Sequence, residues 1–345
     1  MMKAVIFKIN SILFLIIALA AIFYLGAGFL KPLVFAFFFA TLMRPVANFM
    51  ERKSLPRMLA ALLCVLIVFF TISGLIILIV AQLGHFAEGL PEMGEQLEEL
   101  VAALQQSISN ITGISPERQS SLFEERSDGM AEGIQAWVQS FLAGLFNTLG
   151  HFFLTMVYLF LLLTNRGRIR KFMLEYSGDN KDTTQRVIER SATVSHHYLW
   201  GRIKVMSILG GMYLITFLAF DIRFALLFTV VGALLTIIPY IGPLMSGVMP
   251  VAFTMVEGES TSFILAFAAV VLVIQLIESY ILEPLIIGDE VNLAPLYIII
   301  AIVIGGMLWG ILGMILFVPL FAIFRIVAEN TPRLKPIGRL ISNKE

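Results

Sequence analysis

Four polar side chains interrupt a single apolar stretch late in the sequence: Gln275, Glu278, Ser279 and Glu283. The first three stand at i, i+3 and i+4, so a helix presents them on one face. An ionised glutamate inside a membrane span costs several kcal/mol unless it is paired or hydrated. Glu278 therefore has two readings. It faces a bundle interior and alternates between protonated and charged forms, or it sits near the outer end of its span with Arg223 as a neighbour. Glu283, closer to the following loop, fits the surface reading better.

Two proline-rich interruptions flank these residues. One is Pro239-Tyr240-Ile241-Gly242-Pro243, followed by Gly247 and Pro250; the other runs from Glu283-Pro284 through Gly288, Asp289, Glu290 and Asn292 to Pro295. Proline removes a backbone donor and clashes with the preceding turn, which frees carbonyls that can hold a cation or a polar solute. In hydrocarbon such freed groups survive only inside protein or beside water. Paired breaks in consecutive helical hairpins point to a transport site at the membrane midplane. A kink, or a loop among the headgroups, would produce the same letters, and Asp289 and Glu290 suit a watery loop. The candidate pathway thus comprises Pro239, Tyr240, Gly242, Pro243, Gln275, Glu278, Glu283, Pro284, Gly288, Asn292 and Pro295.

The elements that must position these groups are membrane helices. Of 345 residues, 59% are hydrophobic and 14% charged, against about a quarter charged in soluble domains; mean hydropathy is +0.91. Eight apolar runs meet or approach the length of a span: Ile9–Leu30, Leu33–Met50, Met58–Leu83, Phe141–Thr164, Val205–Phe220, Phe224–Val256, Ser262–Leu282 and Leu296–Val327. The expected fold class is an all-α polytopic membrane protein with about eight transmembrane helices, broken or re-entrant near 239–243 and 284–295. The second run is short, bounded by Lys31 and Arg44, and the sixth is too long and proline-rich for one straight helix. The first run follows Lys3 and Lys8 but is long for a signal peptide and is read as a retained span.

Charge divides the chain further. Residues 84–140 hold ten acids and two bases, whereas residues 165–204 hold nine bases and four acids. Basic clusters mark the cytoplasmic side, which puts both termini in the cytoplasm of a bacterial inner membrane after eight crossings. The regions are then 1–83 (three spans), 84–140 (an acidic extracytoplasmic helical region), 141–164 (the fourth span), 165–204 (a basic cytoplasmic linker), 205–327 (a four-span transport unit) and 328–345 (a cytoplasmic tail). In the acidic region Met93, Leu97, Leu100, Val101, Leu104, Ile108 and Ile111 recur at helical spacing, which suits packing on the same subunit or a partner helix. Arg166, Arg168, Arg170 and Lys171 read as a lipid-headgroup anchor. His196 and His197 point about 100° apart on a helix and cannot ligate one ion together.

Zero formal net charge gives no field that recruits nucleic acid, and the lone Cys64 excludes an intrachain disulfide. No HExxH, GxSxG or Walker loop occurs, so neither an enzyme nor a cofactor is expected. Gly306 and Gly310 form a small-xxx-small pair for helix packing, and Gly210 and Gly211 allow close approach in the fifth span.

The stretches IIPYIGPLMSGVMP (237–250), IESYILEPLIIGDEVNLAPLYI (277–298) and GGMLWGILGMILFVPL (305–320) resemble the signature blocks of the AI-2E, or autoinducer-2 exporter, family. Lys31-Pro32, Arg44-Pro45 and Leu55-Pro56-Arg57 resemble its opening, although Arg44 replaces a small polar residue. The resemblance implies eight spans, a homo-oligomer (a pentamer), and solute movement through each protomer. Members are linked to autoinducer-2 export or to sodium–proton exchange, and fold does not decide between them. The leading expectation is an exporter of a small polar solute. The alternatives are a sodium (lithium)–proton antiporter using an intramembrane Glu, and a membrane scaffold. The expected partners are membrane lipid, the small-molecule or cation substrate, and further copies of the chain.

Overall fold

The computed structural model describes residues 2–89, 106, 109, 130–238, 240–288 and 291–343. The acidic stripe expected between Met93 and Ile111 lies almost wholly outside them, as do Pro239, Asp289 and Glu290. Apart from one isolated pairing of Leu293 with Ser342, the regular structure among the described residues is helical. Among the described residues, six helical stretches are long and apolar enough to cross a bilayer: Ala27–Arg52, Arg57–Gly89, Leu149–Tyr176, Gly178–Ala219, Thr261–Ile286 and Ile311–Glu329. Shorter apolar helices accompany them. The protein is an all-α polytopic membrane protein. It divides into two compact units, residues 1–71, 149–203 and 286–345 in the first and residues 72–148 and 204–285 in the second.

In the first unit, α1 (Met2–Leu25) and α2 (Ala27–Arg52) meet at Gly26. The expected short second span is instead a 26-residue helix that contains Lys31, Pro32, Arg44 and Pro45. Pro32 and Pro45 each remove one donor from the ladder without ending the helix, and Arg44 is exposed. Helix α3 (Arg57–Gly89) leaves this unit partway along its length. The expected linker 165–204 is not a separate element. Helix α4 (Met130–Tyr176) runs into it, a 3-10 turn reverses the chain at Gly178–Asn180, and α5 (Lys181–Ala219) runs out of it. Arg170 and Glu189 pair across that turn at 3.1 Å.

The last apolar run also folds back. Helices α10 (Pro295–Trp309) and α11 (Ile311–Glu329) are joined by the single residue Gly310, at φ 67° and ψ −149°, a conformation open essentially to glycine. Gly305 and Gly313 stack backbone on backbone, so that a Cβ on either would strike the other's carbonyl. Gly310 is therefore the turn rather than a packing position, and Gly306 faces the side chain of Met314. Trp309 stacks on Phe23 at 5.6 Å and donates from Nε1 to its carbonyl at 2.9 Å. A short tail helix, α12 (Lys335–Ile341), closes the unit.

In the second unit the sixth run is likewise a hairpin, of α6 (Ala225–Leu235) and α7 (Ile241–Val256). Phe228 meets Phe253 at 4.9 Å near its base, and Gly232 lies against Ser246 nearer the tip. Eleven residues of helix reach only about 16 Å, so α6 cannot cross a bilayer, and the hairpin returns the chain to the side it entered. The segments before α6 and after α7 accordingly lie together: Arg223 acts electrostatically on Glu257, whose carboxyl is pushed above its usual range mainly by burial. Helix α8 (Thr261–Ile277) starts under a cap in which Ser260 Oγ accepts from Phe263 N–H at 3.3 Å. It continues through a π-helical turn, Glu278–Leu282, into α9 (Glu283–Ile286).

Candidate functional site

Within the second unit, the chain breaks between Thr236 and Tyr240, and Tyr240 enters α7 at φ 66°. Gly242 in the first turn of α7 leaves no room for a side chain, because a Cβ would strike the Leu235 carbonyl. This close approach fixes the hairpin tip against the end of α6. Just past the tip, the Pro243 carbonyl accepts two side-chain hydrogen bonds, from Gln275 Nε2 at 2.7 Å and from Ser246 Oγ at 3.0 Å. Ser246 Oγ is also 3.1 Å from the Tyr213 hydroxyl. Because the Ser246 proton goes to Pro243, Tyr213 is the donor in that contact. The Tyr213 oxygen in turn lies in hydrogen-bonding reach of Gln275 and in electrostatic reach of Glu278.

Glu278 has 0% exposure, so its side chain is enclosed rather than at the surface. Arg223 is not its neighbour. That cation sits with Glu257, beyond the far end of α8, and Glu278 is seventeen residues past Thr261, about 25 Å along the helix. The π turn begins at Glu278 itself, and such widened turns absorb the extra residue that a regular ladder cannot, often at functional sites. The missing donor of Pro284 falls within the same local disruption. Hydroxyl, amide and carboxyl thus form one buried polar cluster in an apolar surround, where each hydrogen bond is strengthened and each unmade one is expensive.

Of the expected site residues, Gly242, Pro243, Gln275 and Glu278 come together here, and Tyr240 marks the tip with its ring 57% exposed. Glu283 is half-buried and Pro284 exposed on α9. The second break begins later than expected: α9 is helical through Pro284 to Ile286, and among the described residues 287–288 and 291–294 are irregular. Its residues belong to the first unit. Gly288 turns at φ 55°, Asn292 Nδ2 donates to Ser342 Oγ at 3.1 Å, Ala294 N–H donates to the Ile341 carbonyl at 3.0 Å, and Pro295 opens α10. Ile287 also packs against Gly201 near the start of the fifth apolar run. The segment after Glu283 therefore shares its end of the unit with residue 201 and the tail.

Tyr213 and Ser246 were not singled out in the sequence. A hydroxyl-bearing residue inside each of two apolar runs was the available signal.

A helical membrane protein whose broken hairpin packs beside a buried polar cluster has the architecture expected of a transporter. The chain is a member of the AI-2E transporter family, whose sequence pattern it matches over residues 13–333. It is 27% identical over 326 residues to the AI-2 transport protein TqsA of Escherichia coli K12, which covers 93% of this chain and 92% of that one. It is also 27% identical over 318 residues to YrrI of Bacillus subtilis 168, named as a candidate transport protein (88% and 87% covered), and 24% identical over 318 residues to the similarly named YhhT of E. coli K12 (92% and 88%).

Proposed function

We propose that this protein is a secondary exporter of a small polar solute, of the class to which autoinducer-2 belongs, with its pathway at the α6–α7 tip and the cluster around Glu278. The observation that carries this reading is the convergence of Gln275 and Ser246 on the Pro243 carbonyl beside a fully buried carboxyl. These polar groups can exchange their partners for a solute's hydroxyls without exposing bare backbone to lipid. Tyr240, Gly242 and Pro243 supply the tip, while Pro239, Glu283, Pro284, Gly288, Asn292 and Pro295 flank it in sequence as further pathway positions. Solute movement involves no chemical conversion and no cofactor. The protein is placed in a bacterial inner membrane with both termini cytoplasmic, on the charge bias between 84–140 and 165–204. Assembly as a homo-oligomer, a pentamer, follows the family resemblance.

A second reading, sodium (lithium)–proton antiport, draws on the 0% exposure of Glu278, since a carboxyl that carries protons alternately with cations must be shielded from bulk water. Proteoliposomes with the Glu278→Gln variant separate the two. Solute export predicts that downhill counterflow of a polar solute survives the substitution largely intact. Antiport predicts that cation exchange driven by a pH gradient is present in the unaltered protein and abolished in the variant. Absence of solute counterflow in the unaltered protein would refute the export reading.

A further inference from the structure

At the junction of α2, α3 and α4 the first unit gathers three guanidinium groups around one carboxylate. Arg166 of α4 pairs with Glu51 of α2 through Nη2, and both side chains are about three-quarters buried. Arg57, the first residue of α3, lays its guanidinium against Gly167, where an added Cβ would meet Nη1 at 3.4 Å and Nη2 at 3.5 Å. Arg44 of α2 and Arg57 both lie in electrostatic reach of Arg166. Glu51 balances only one of the three, so the cluster carries an excess of two positive charges, with Arg52 at the end of α2 and Lys53 just after it adjoining. Arg166 is committed to Glu51, whereas Arg44 and Arg57 are exposed. The N–H groups that open the 33-residue helix α3 add positive potential at the same place.

The surface beside this charge is apolar. Phe49, Met58, Leu59, Leu62 and Leu63 are all exposed, within two turns of Glu51 or Arg57. A ligand that satisfies both features has an anionic head and hydrocarbon tails. We propose that Arg44 and Arg57 form a specific site for one anionic phospholipid, its phosphate held by the two free guanidiniums and its chains lying along the exposed face of α3. Guanidinium suits this role because it meets phosphate through paired N–H donors and is weakly hydrated. The pair between Arg166 and Glu51 ties α4 to α2, and Arg57 of α3 rests on α4 at Gly167, so α4 is the floor against which both exposed arginines are positioned. Arg44, the residue that departs from the family's opening pattern, thereby acquires a use.

The test titrates delipidated full-length protein with phosphatidylglycerol or phosphatidylcholine in mixed micelles and counts bound lipid by native mass spectrometry. The unaltered protein retains one phosphatidylglycerol in preference to phosphatidylcholine. The Arg44→Gln/Arg57→Gln variant weakens that binding about tenfold or more, as expected for lost charge-assisted contacts. Arg333→Gln, which removes an equal charge from an exposed position in the tail, leaves it unchanged, and Arg44→Lys/Arg57→Lys, the conservative variant, retains part of it. Equal retention of the two lipids, or equal weakening by Arg333→Gln, would reduce the cluster to a diffuse basic surface and overturn the proposal. Displacement of the lipid by millimolar inorganic phosphate would overturn it too, by making the ligand a free anion. If the double glutamine variant fails to fold, the lipid preference of the unaltered protein and the Arg333 and lysine variants still decide.

Discussion

Gly247 lies in the interior of α7 directly beneath the Gln275 amide, and a Cβ there would overlap that amide. The substitution Gly247→Ala therefore forces Gln275 away from the Pro243 carbonyl, which it now meets at 2.7 Å. Leaving a buried amide unsatisfied costs about 1–3 kcal/mol, while alanine in place of glycine inside a helix returns about 1 kcal/mol. The net effect is a loss of about 1 kcal/mol. In a Gln275→Ala background the obstruction is gone and only the helix term remains, so the same Gly247→Ala change should now stabilise by about 1 kcal/mol. The sign reverses between backgrounds, giving a coupling of about 2 kcal/mol in a double-mutant cycle. Reversible unfolding of the four proteins in a single detergent measures it. Stabilisation in both backgrounds, or additivity within about 0.5 kcal/mol, would refute the contact between the hairpin and α8 on which the cluster depends.

Other substitutions report on the remaining structure. Gly313→Ala should destabilise by more than about 2 kcal/mol, since backbone rather than a flexible side chain blocks its Cβ; thermal unfolding in detergent checks it. Trp309→Phe keeps the stacking on Phe23 but loses the Nε1 hydrogen bond, for a loss of about 1 kcal/mol by the same measurement. Removal of residues 335–345 deprives Ala294 N–H of the Ile341 carbonyl, and hydrogen exchange at Ala294 should accelerate while that of α8 does not. The raised carboxyl of Glu257 means that the folded state holds its proton more tightly than the unfolded chain. Stability should therefore rise as pH falls through the folded pKa and level off below the ordinary value near 4.5, and Glu257→Gln should flatten that part of the profile.

The apolar runs were legible because hydrocarbon imposes length and composition on any span, and the break at Tyr240 was legible because proline and glycine leave few alternatives. Direction was not legible. A run of thirty-three apolar residues reads the same whether it crosses the bilayer or doubles back, and only the positive φ of Tyr240 and Gly310 distinguishes the two. Lys31-Pro32 and Arg44-Pro45 looked like the ends of a short span, yet lipid penalises an open backbone enough to keep α2 helical through both prolines. Glu278 was found because a charged residue in hydrocarbon stands out. Tyr213 and Ser246, separated by 33 positions, carry no mark of their partnership until α5 and α7 pack side by side.

The α6–α7 turn-back has a practical corollary. Engineered thiols at Asp221 and Glu259, both exposed and on either side of it, should react with a membrane-impermeant maleimide from one and the same compartment. The chain's single native cysteine, Cys64, is wholly enclosed, so such labelling can be done on an otherwise unaltered protein, with no background thiol to remove first.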